Sequence, residues 1–135
     1  LWREIYKPHY KRLFGRWHEI TRIKVHLHCC GSICDILDDL IECGVNVVNP
    51  QIRANGLDDL VAQCRGRLCV DLDLDRQLFP FCTPQEIDDH VRAAVEALGA
   101  PEGGLWLKAE IGFDVPLENV DAICSALVKY RNYFS

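Results

Sequence analysis

Apolar residues follow two different spacings along this chain. Short, nearly continuous apolar runs are typical of buried strands, whereas apolar residues that recur about every three or four positions indicate amphipathic helices. The short runs predict strands at 24–30, 45–49, 68–73 and 105–110. The helical spacing predicts helices at 2–20, 32–43, 57–64, 84–98 and from 116 onward. The pattern therefore predicts one helix followed by four strand–helix units.

Residues with a preference for helix ends mark several of these boundaries. Ser32, followed three residues later by Asp35, predicts a capping box at the start of the second helix. Gly44 is expected to end that helix in a left-handed conformation. Thr83 and Glu86 form a stronger start signal for the helix at 84–98, because a proline stands between them at the first helical position.

The first helix carries an apolar stripe and many of the basic residues of the chain. Pro8 predicts that this helix either kinks or begins late, because proline has no backbone N–H. The basic residues between Arg3 and Lys24 are expected on a solvated face. The stripe expected to face the core consists of Ile5, Tyr6, Leu13, Trp17 and Ile20.

Strands that alternate with helices at this spacing predict an α/β fold with a parallel sheet. Four such strands form either a small open sheet or the carboxyl-terminal half of a (β/α)8 TIM barrel. The chain contains no methionine, even at position 1, which favours a piece of a longer barrel. We therefore interpret residues 1–135 as a single partial domain whose amino-terminal half is missing. Its open sheet edges are expected to promote association, including homo-oligomers.

Two metal-capable side chains lie at the end of the first predicted strand. Side chains alternate between faces of a strand, so His26, His28 and Cys30 share one face. In α/β folds the carboxyl ends of the strands are where ligands bind. An imidazole and a thiolate at this spacing can both reach one zinc ion at about 2.0–2.3 Å. His28 and Cys30 are therefore predicted metal ligands, with packing inside a barrel as the alternative. His26 is expected to be a hydrogen-bonded core histidine rather than a further ligand.

Polar side chains also end the other predicted strands, where they are expected to line a substrate pocket. Asp73 and Asp75 either bind substrate, act as a base or pair with Arg76, because unpaired carboxylates inside a barrel are costly. Asn49 and Gln51 either hydrogen-bond a small-molecule substrate or cap the backbone. Lys108 and Glu110 are interpreted as a solvated or mutually paired set. The predicted substrate-binding residues are Asn49, Gln51, Asp73, Asp75 and Arg76.

Composition narrows the class of protein. Hydrophobic residues make up 49% of the chain and charged residues 26%, as in ordinary globular domains. A net charge of -5 argues against nucleic acid or an anionic membrane as the partner. No apolar stretch approaches the about 20 residues of a membrane span. The eight cysteines lie inside apolar segments, which predicts reduced thiols and a cytoplasmic location.

Several stretches together resemble the carboxyl-terminal half of the uroporphyrinogen decarboxylase family, a group of (β/α)8 barrels. Their order and spacing carry the resemblance, and the stretches are 2–4 with 7–8, 25–33, 40–50, 73–77, 79–86 and 114–120. The resemblance implies that the four strands here are strands five to eight of the barrel. The family includes the decarboxylase itself and zinc-dependent, corrinoid-linked methyltransferases.

The methyltransferase branch has a His-x-Cys-Gly motif that supplies two zinc ligands, and this motif matches His28 and Cys30. The resemblance implies that zinc there activates a thiol for methyl transfer, with a corrinoid protein as partner. That branch takes a third ligand, a cysteine, from the last strand, where this chain has Ala109. Glu110 is adjacent and is hypothesised to replace it.

Two other functions stay open on this resemblance. The first is decarboxylation of a porphyrinogen in tetrapyrrole biosynthesis, although the last-strand histidine of that branch also falls near Ala109. The second is a non-catalytic module that binds a corrinoid or a tetrapyrrole. No catalytic residue of this chain is assigned by the resemblance.

Overall fold

The computed structural model describes residues 1–134. A π-helical turn, Trp2–Tyr6, leads into the first α-helix, and a 3-10 turn, Cys34–Ile36, precedes the second. Within this described range the six α-helices are α1 (Lys7–Ile20), α2 (Leu37–Glu42), α3 (Ile52–Asn55), α4 (Leu57–Cys64), α5 (Pro84–Leu98) and α6 (Leu117–Tyr130). The four strands are β1 (His26–Cys29), β2 (Val47–Pro50), β3 (Cys69–Asp73) and β4 (Leu105–Lys108).

The strands form one parallel sheet in the order β1-β2-β3-β4. Sequential parallel strands with a helical crossover between neighbours give the strand order of half a (β/α)8 barrel. The predicted α/β class with four parallel strands is confirmed. Each observed strand lies within its predicted segment or extends one residue past it. Because the strands are parallel, their four carboxyl ends lie at the same edge of the sheet.

The two faces of the sheet differ in character. Helices cover the face that carries Val48, Val70 and Leu72, each at most 2% exposed, and these side chains join one continuous core with the helices. On the opposite face the described strands present Val47 and Cys69, which are half-buried, and a larger set of polar or exposed side chains, which are His26, His28, Asn49, Asp71, Asp73, Trp106 and Lys108. This polar face, which continues to the carboxyl ends of the strands, positions the candidate site.

The predicted capping box at the start of the second helix is wrong. A 3-10 turn comes first, α2 begins only at Leu37, and neither start has a side-chain cap. The backbone N–H of Ile33 instead donates to Oδ1 of Asn55, at 2.8 Å. Asn55 is buried at 6% exposure, and its Nδ2 donates to the carbonyls of Gly31 and Gln51. A tertiary contact from α3 therefore replaces the local cap.

The apolar stripe predicted for the first helix is also wrong, because its members are exposed. The helix packs instead through Phe14, which is 6% exposed, and Tyr10 makes edge-to-face contacts with both Phe14 and Trp2. Arg3 and Lys7 are not simply solvated, since both bind the buried carboxylate of Asp39. The α-helical segment begins at Lys7 and has Pro8 in its first turn, so the late start is confirmed.

Other sequence signals are confirmed. Thr83 and Glu86 form a reciprocal capping box at the start of α5. Gly44 follows α2 with a φ of +97°, where the Cβ of any other residue would be strained. All eight cysteines are free thiols, of which Cys30 and Cys124 are exposed. Within residues 1–134, no helix is both long enough and apolar enough to cross a membrane.

Candidate functional site

The carboxyl end of β1 brings together the two predicted metal ligands. The Nε2 atom of His28 lies 3.1 Å from the Sγ atom of Cys30. His28 is exposed on the polar face of the sheet, and Cys30 is exposed directly after β1 ends at Cys29. Cys30 follows the strand by one residue and still lies on the side to which His28 points, as strand alternation predicts for residues two apart. The imidazole nitrogen and the thiol sulfur are therefore close enough to bind the same metal ion.

The neighbouring strand determines which nitrogen of His28 is available. Nδ1 of His28 lies 2.6 Å from Oδ1 of Asn49, its register partner on β2. The amide of Asn49 donates to the carbonyl of Asp71 from Nδ2, so its oxygen is the atom that faces the ring. An oxygen can only accept, and Nδ1 must therefore carry the proton. The lone pair of a singly protonated ring then lies on Nε2, toward Cys30.

Lys108 extends this network to the last strand. Its Nζ atom donates to Oδ1 of Asn49 at 3.3 Å and lies 4.0 Å from Oδ1 of Asp73. Asn49 and Asp73 are buried, at 2% and 5% exposure. The end of β4 thus contributes a cation between two predicted substrate-binding side chains. The side chain of Lys108 is 48% exposed, in agreement with a solvated residue, but the expected pairing with Glu110 is wrong, because Glu110 pairs with Arg76 and the sheet register brings Lys108 opposite Asp73.

His26 lies on the same face but belongs to a different contact. Its Nε2 atom is 3.1 Å from Oδ2 of Asp71, on the strand two positions away. The prediction of a hydrogen-bonded histidine is therefore confirmed, although the side chain is 43% exposed rather than in the core. Asp71, by contrast, is only 13% exposed at its side chain, so His26 caps a partly buried carboxylate.

The loop after β3 holds Asp75 through contacts that sequence reasoning did not identify. Asp75 pairs with Arg53 of α3, with Nη2 and Oδ2 2.7 Å apart, and not with Arg76. Arg76 pairs instead with Glu110. The backbone N–H of Asp75 donates to Nε2 of His90 on α5, at 3.1 Å. Burial lowers the pKa of His90, which suits the neutral ring that this contact requires, while nearby Asp75 raises it to a smaller extent.

A cavity of about 220 Å³ lies at the ends of β2 and β3. Four of the five predicted substrate-binding residues line this cavity, namely Gln51, Asp73, Asp75 and Arg76. Arg53 and Gln77 line it as well. The fifth, Asn49, does not line this cavity and lies between His28 and Lys108. Gln51 meets Asp73 through an isolated parallel bridge that prolongs the β2–β3 pairing.

The donor set fits a metal ion only in part. Within residues 1–134, no group of three or more His, Cys, Asp and Glu side chains is arranged to hold a metal ion. Glu110, the hypothesised third ligand, pairs with Arg76, and the side chain of Ala109 offers no donor atom. The arrangement of His28 and Cys30 nevertheless resembles that of two zinc ligands in two respects. Their donor atoms face each other, and the outer nitrogen of the histidine is held by a carbonyl oxygen, as in protein zinc sites.

Two cationic residues of this region, Arg53 and Lys108, were missed as site residues. Arg53 lies on α3, a short helix in a segment that the apolar spacing left unassigned, so no periodicity pointed to its position. Lys108 is 59 positions from Asn49 in the chain. One sequence signal did indicate Lys108. It lies at the end of a predicted strand, as the predicted substrate-binding residues Asn49 and Asp73 do.

Comparisons with known proteins agree with this architecture. The sequence model described as uroporphyrinogen decarboxylase (URO-D) matches residues 1–130. No curated protein matches the chain. Among solved structures, a methyltransferase from Methanosarcina mazei superposes with a TM-score of 0.66 at 20% sequence identity. The match covers 96% of this chain and 37% of that chain, so the similarity shows a common fold over part of a longer protein.

Proposed function

This chain belongs to the uroporphyrinogen decarboxylase family, and from that premise we propose that it is part of a zinc-dependent methyltransferase. In this proposal the enzyme transfers a methyl group to a thiol from a corrinoid carried by a partner protein. The single observation that carries the proposal is the 3.1 Å approach of His28 Nε2 to Cys30 Sγ, with the other ring nitrogen already bonded to Asn49.

His28 and Cys30 would hold the zinc through Nε2 and Sγ. When it is bound, zinc lowers the pKa of a coordinated thiol, so that the thiol acts as a thiolate at neutral pH. Zinc bound by this pair would need further ligands, and the thiol substrate would be one of them. An open coordination position is typical of catalytic zinc, whereas structural zinc has four protein ligands.

The surrounding residues orient the ligands and the substrate. Asn49 fixes the ring of His28, and Lys108 in turn holds the oxygen of Asn49. Such outer contacts keep a ligating histidine in one tautomer and one orientation. Asp73, Asp75, Gln51 and Arg76 line the adjacent cavity, where the part of the substrate away from the sulfur would lie. The proposed location of the reaction is the cytoplasm.

Family membership supports one further candidate, the decarboxylation of a porphyrinogen, which needs no metal. It gives no role to the contact between His28 and Cys30, so the geometry favours methyl transfer. A non-catalytic module that binds a corrinoid or a tetrapyrrole would also give no role to the contact between His28 and Cys30. The three functions differ in metal dependence and in turnover, and one assay separates them.

The test is methyl transfer from methylcobalamin to 2-mercaptoethanol by the intact protein, followed by the change in cobalamin absorbance. We expect transfer that a chelator abolishes and added zinc restores. Cys30→Ser is expected to lower the rate by at least about 100-fold, because the substitution removes a metal ligand. Cys124→Ser is the matched control, since Cys124 is an exposed thiol on α6 outside the site.

Transfer that persists after chelation and in Cys30→Ser would contradict the proposal. Release of carbon dioxide from a porphyrinogen by metal-free protein would support the decarboxylase instead. Corrinoid binding without turnover of either substrate would support the binding module.

A further inference from the structure

The strand pairing of β1 does not extend to Cys30. The pairing with β2 ends where Cys29 meets Pro50, and proline has no backbone N–H with which to donate. Cys30 lies one residue beyond this last pair. The next residue is Gly31, whose backbone can adopt more conformations than that of any other residue type. A contact outside the sheet is therefore needed to keep Cys30 beside His28.

Asn55, at the end of α3, makes such a contact with both ends of its side-chain amide. Its Oδ1 atom accepts from the backbone N–H of Ile33 at 2.8 Å, and its Nδ2 atom donates to the carbonyl of Gly31 at 3.3 Å. An amide side chain has both a donor and an acceptor, whereas a carboxylate only accepts and an apolar side chain does neither. Asn55 thus binds the chain at two points directly after Cys30.

These bonds are protected from solvent and joined to the rest of the fold. Only 6% of Asn55 is exposed, and its bond to Ile33 is buried. A buried donor that loses its acceptor is costly, because it has also lost its hydration. Nδ2 of Asn55 also donates to the carbonyl of Gln51 at 2.9 Å, and Gln51 lines the cavity of about 220 Å³. One side chain therefore joins the segment after β1 to the wall of this cavity.

We propose that Asn55 is a positioning residue of the proposed zinc site, and that it acts by holding Cys30 beside His28. The inference rests on the proposed function for the role of Cys30 as a metal ligand. Asn49 of β2 orients His28, and Asn55 of α3 binds the chain next to Cys30. The second strand–helix unit thus contributes one buried asparagine for each of the two ligands.

Nuclear magnetic resonance of the metal-free intact protein measures the position of Cys30 without zinc. In protein labelled at histidine and cysteine, we expect a nuclear Overhauser effect between the ring of His28 and the β-protons of Cys30. Asn55→Ala should abolish it, because the segment after β1 then loses its bonds to Oδ1 and Nδ2. Hydrogen exchange at the amide of Ile33 should be slow in the wild type and faster in the variant.

Asn119→Ala is the matched control. Asn119 is also buried, at 2% exposure, and its Nδ2 atom donates to the carbonyls of Phe79 and Cys82 in the loop after β3. The control therefore removes comparable buried hydrogen bonds from a different loop. It should leave the Overhauser effect between His28 and Cys30 as it is in the wild type.

Metal binding gives a second readout. Asn55→Ala should bind zinc at least about tenfold more weakly than the wild type, whereas Asn119→Ala should not. In cobalt-substituted protein, the thiolate-to-cobalt charge-transfer band should be lost in Asn55→Ala, because this band requires Cys30 at the metal. A substitution that only lowered stability would leave the band unchanged in the folded protein.

Three results would overturn the proposal. The first is a folded Asn55→Ala variant that keeps the Overhauser effect, and the second is one that keeps wild-type zinc affinity with the charge-transfer band. The third is rapid exchange of the Ile33 amide in the wild-type protein, which counts even if the variant fails to fold. Asn55→Ser is the second variant, since one hydroxyl on a shorter side chain cannot reach both Ile33 and Gly31, and the same losses are expected from it.

The two proposals fail separately. Wild-type protein that shows the Overhauser effect but binds no zinc would contradict the zinc site alone. Zinc-dependent methyl transfer at the wild-type rate in Asn55→Ala would contradict the role of Asn55 alone.

Discussion

Nδ1 of His28 lies 2.6 Å from Oδ1 of Asn49, and this contact joins the ends of two neighbouring strands. The contact leaves the second ring nitrogen directed at Cys30. A pair of potential ligands is thus oriented by a buried amide that is itself held from both sides, by the carbonyl of Asp71 and by Lys108. Orientation of this kind distinguishes a prepared ligand from a histidine that happens to lie near a cysteine.

Asn49→Leu should weaken zinc binding about 10- to 100-fold, because outer contacts of a ligating histidine contribute by about that factor. Asn49→Asp keeps an acceptor oxygen and should bind zinc far more tightly than the leucine variant. Competition with a chromogenic chelator measures both affinities. A leucine variant that binds zinc as tightly as the wild type would contradict the role given to Asn49.

His90 should make stability depend on pH below its ordinary pKa of 6.5. Burial lowers the pKa of the folded-state histidine, so the unfolded chain takes up a proton first as the pH falls. Stability is therefore full above about pH 6.5 and declines as the pH falls toward the folded-state pKa. Protonation also removes the acceptor that holds the backbone N–H of Asp75.

Urea unfolding between pH 8 and 5 measures this decline. His90→Gln should flatten it, because glutamine does not titrate. His9→Gln is the control, since His9 is exposed on α1 and lies outside this contact. Equal slopes for His90→Gln and the wild type would show that another group is responsible.

Asp39 should stabilise the docking of the first helix. Hydrogen bonds from Lys7 and Arg3 lower the pKa of Asp39, despite the opposing effect of burial. A lowered folded-state pKa gives stability that is present above about pH 4 and is lost as the pH falls further. Asp39→Asn should therefore lower the thermal midpoint by several degrees at pH 7 and by less at pH 3. Asp38→Asn, at a neighbouring side chain that is 74% exposed, should change it little. Similar midpoints for the two variants at pH 7 would contradict the prediction.

Thr83→Ala should destabilise the protein by about 1 kcal/mol, because it removes the side-chain cap of α5. The loss has two parts, since the hydroxyl accepts from the N–H of Glu86 and also donates to its carboxylate. Ser125→Ala removes an exposed hydroxyl from the interior of α6 and should not destabilise. Denaturant unfolding compares the two variants, and equal effects would rule out a specific capping role.

The alternation of strands and helices was predictable because each element carries its own spacing of apolar residues. The α5 helix illustrates this best, since its start, its buried face and its end are all encoded within 83–99. The start of the second helix was not predictable, because Asn55 reaches it from more than twenty positions away. Local capping signals carry no information about such a competitor.

The candidate site was predictable to the extent that strand ends define it. His28, Cys30, Asn49 and Asp73 were found because alternation and the parallel sheet bring them to one edge. The partners of Asp75 and Arg76 were not, since side-chain pairing depends on where α3 and the loop after β4 lie. Two carboxylates and two arginines allow several pairings, and only the folded structure distinguishes them.

Zinc content is the measurement that tests the proposed metal site most directly. Elemental analysis of the intact protein should find near-stoichiometric zinc in the wild type and in Cys124→Ala. His28→Ala and Cys30→Ala should each lose it while remaining folded by circular dichroism. Folded wild-type protein without zinc after purification from zinc-supplemented medium, or zinc retained in both ligand variants, would contradict the assignment of His28 and Cys30.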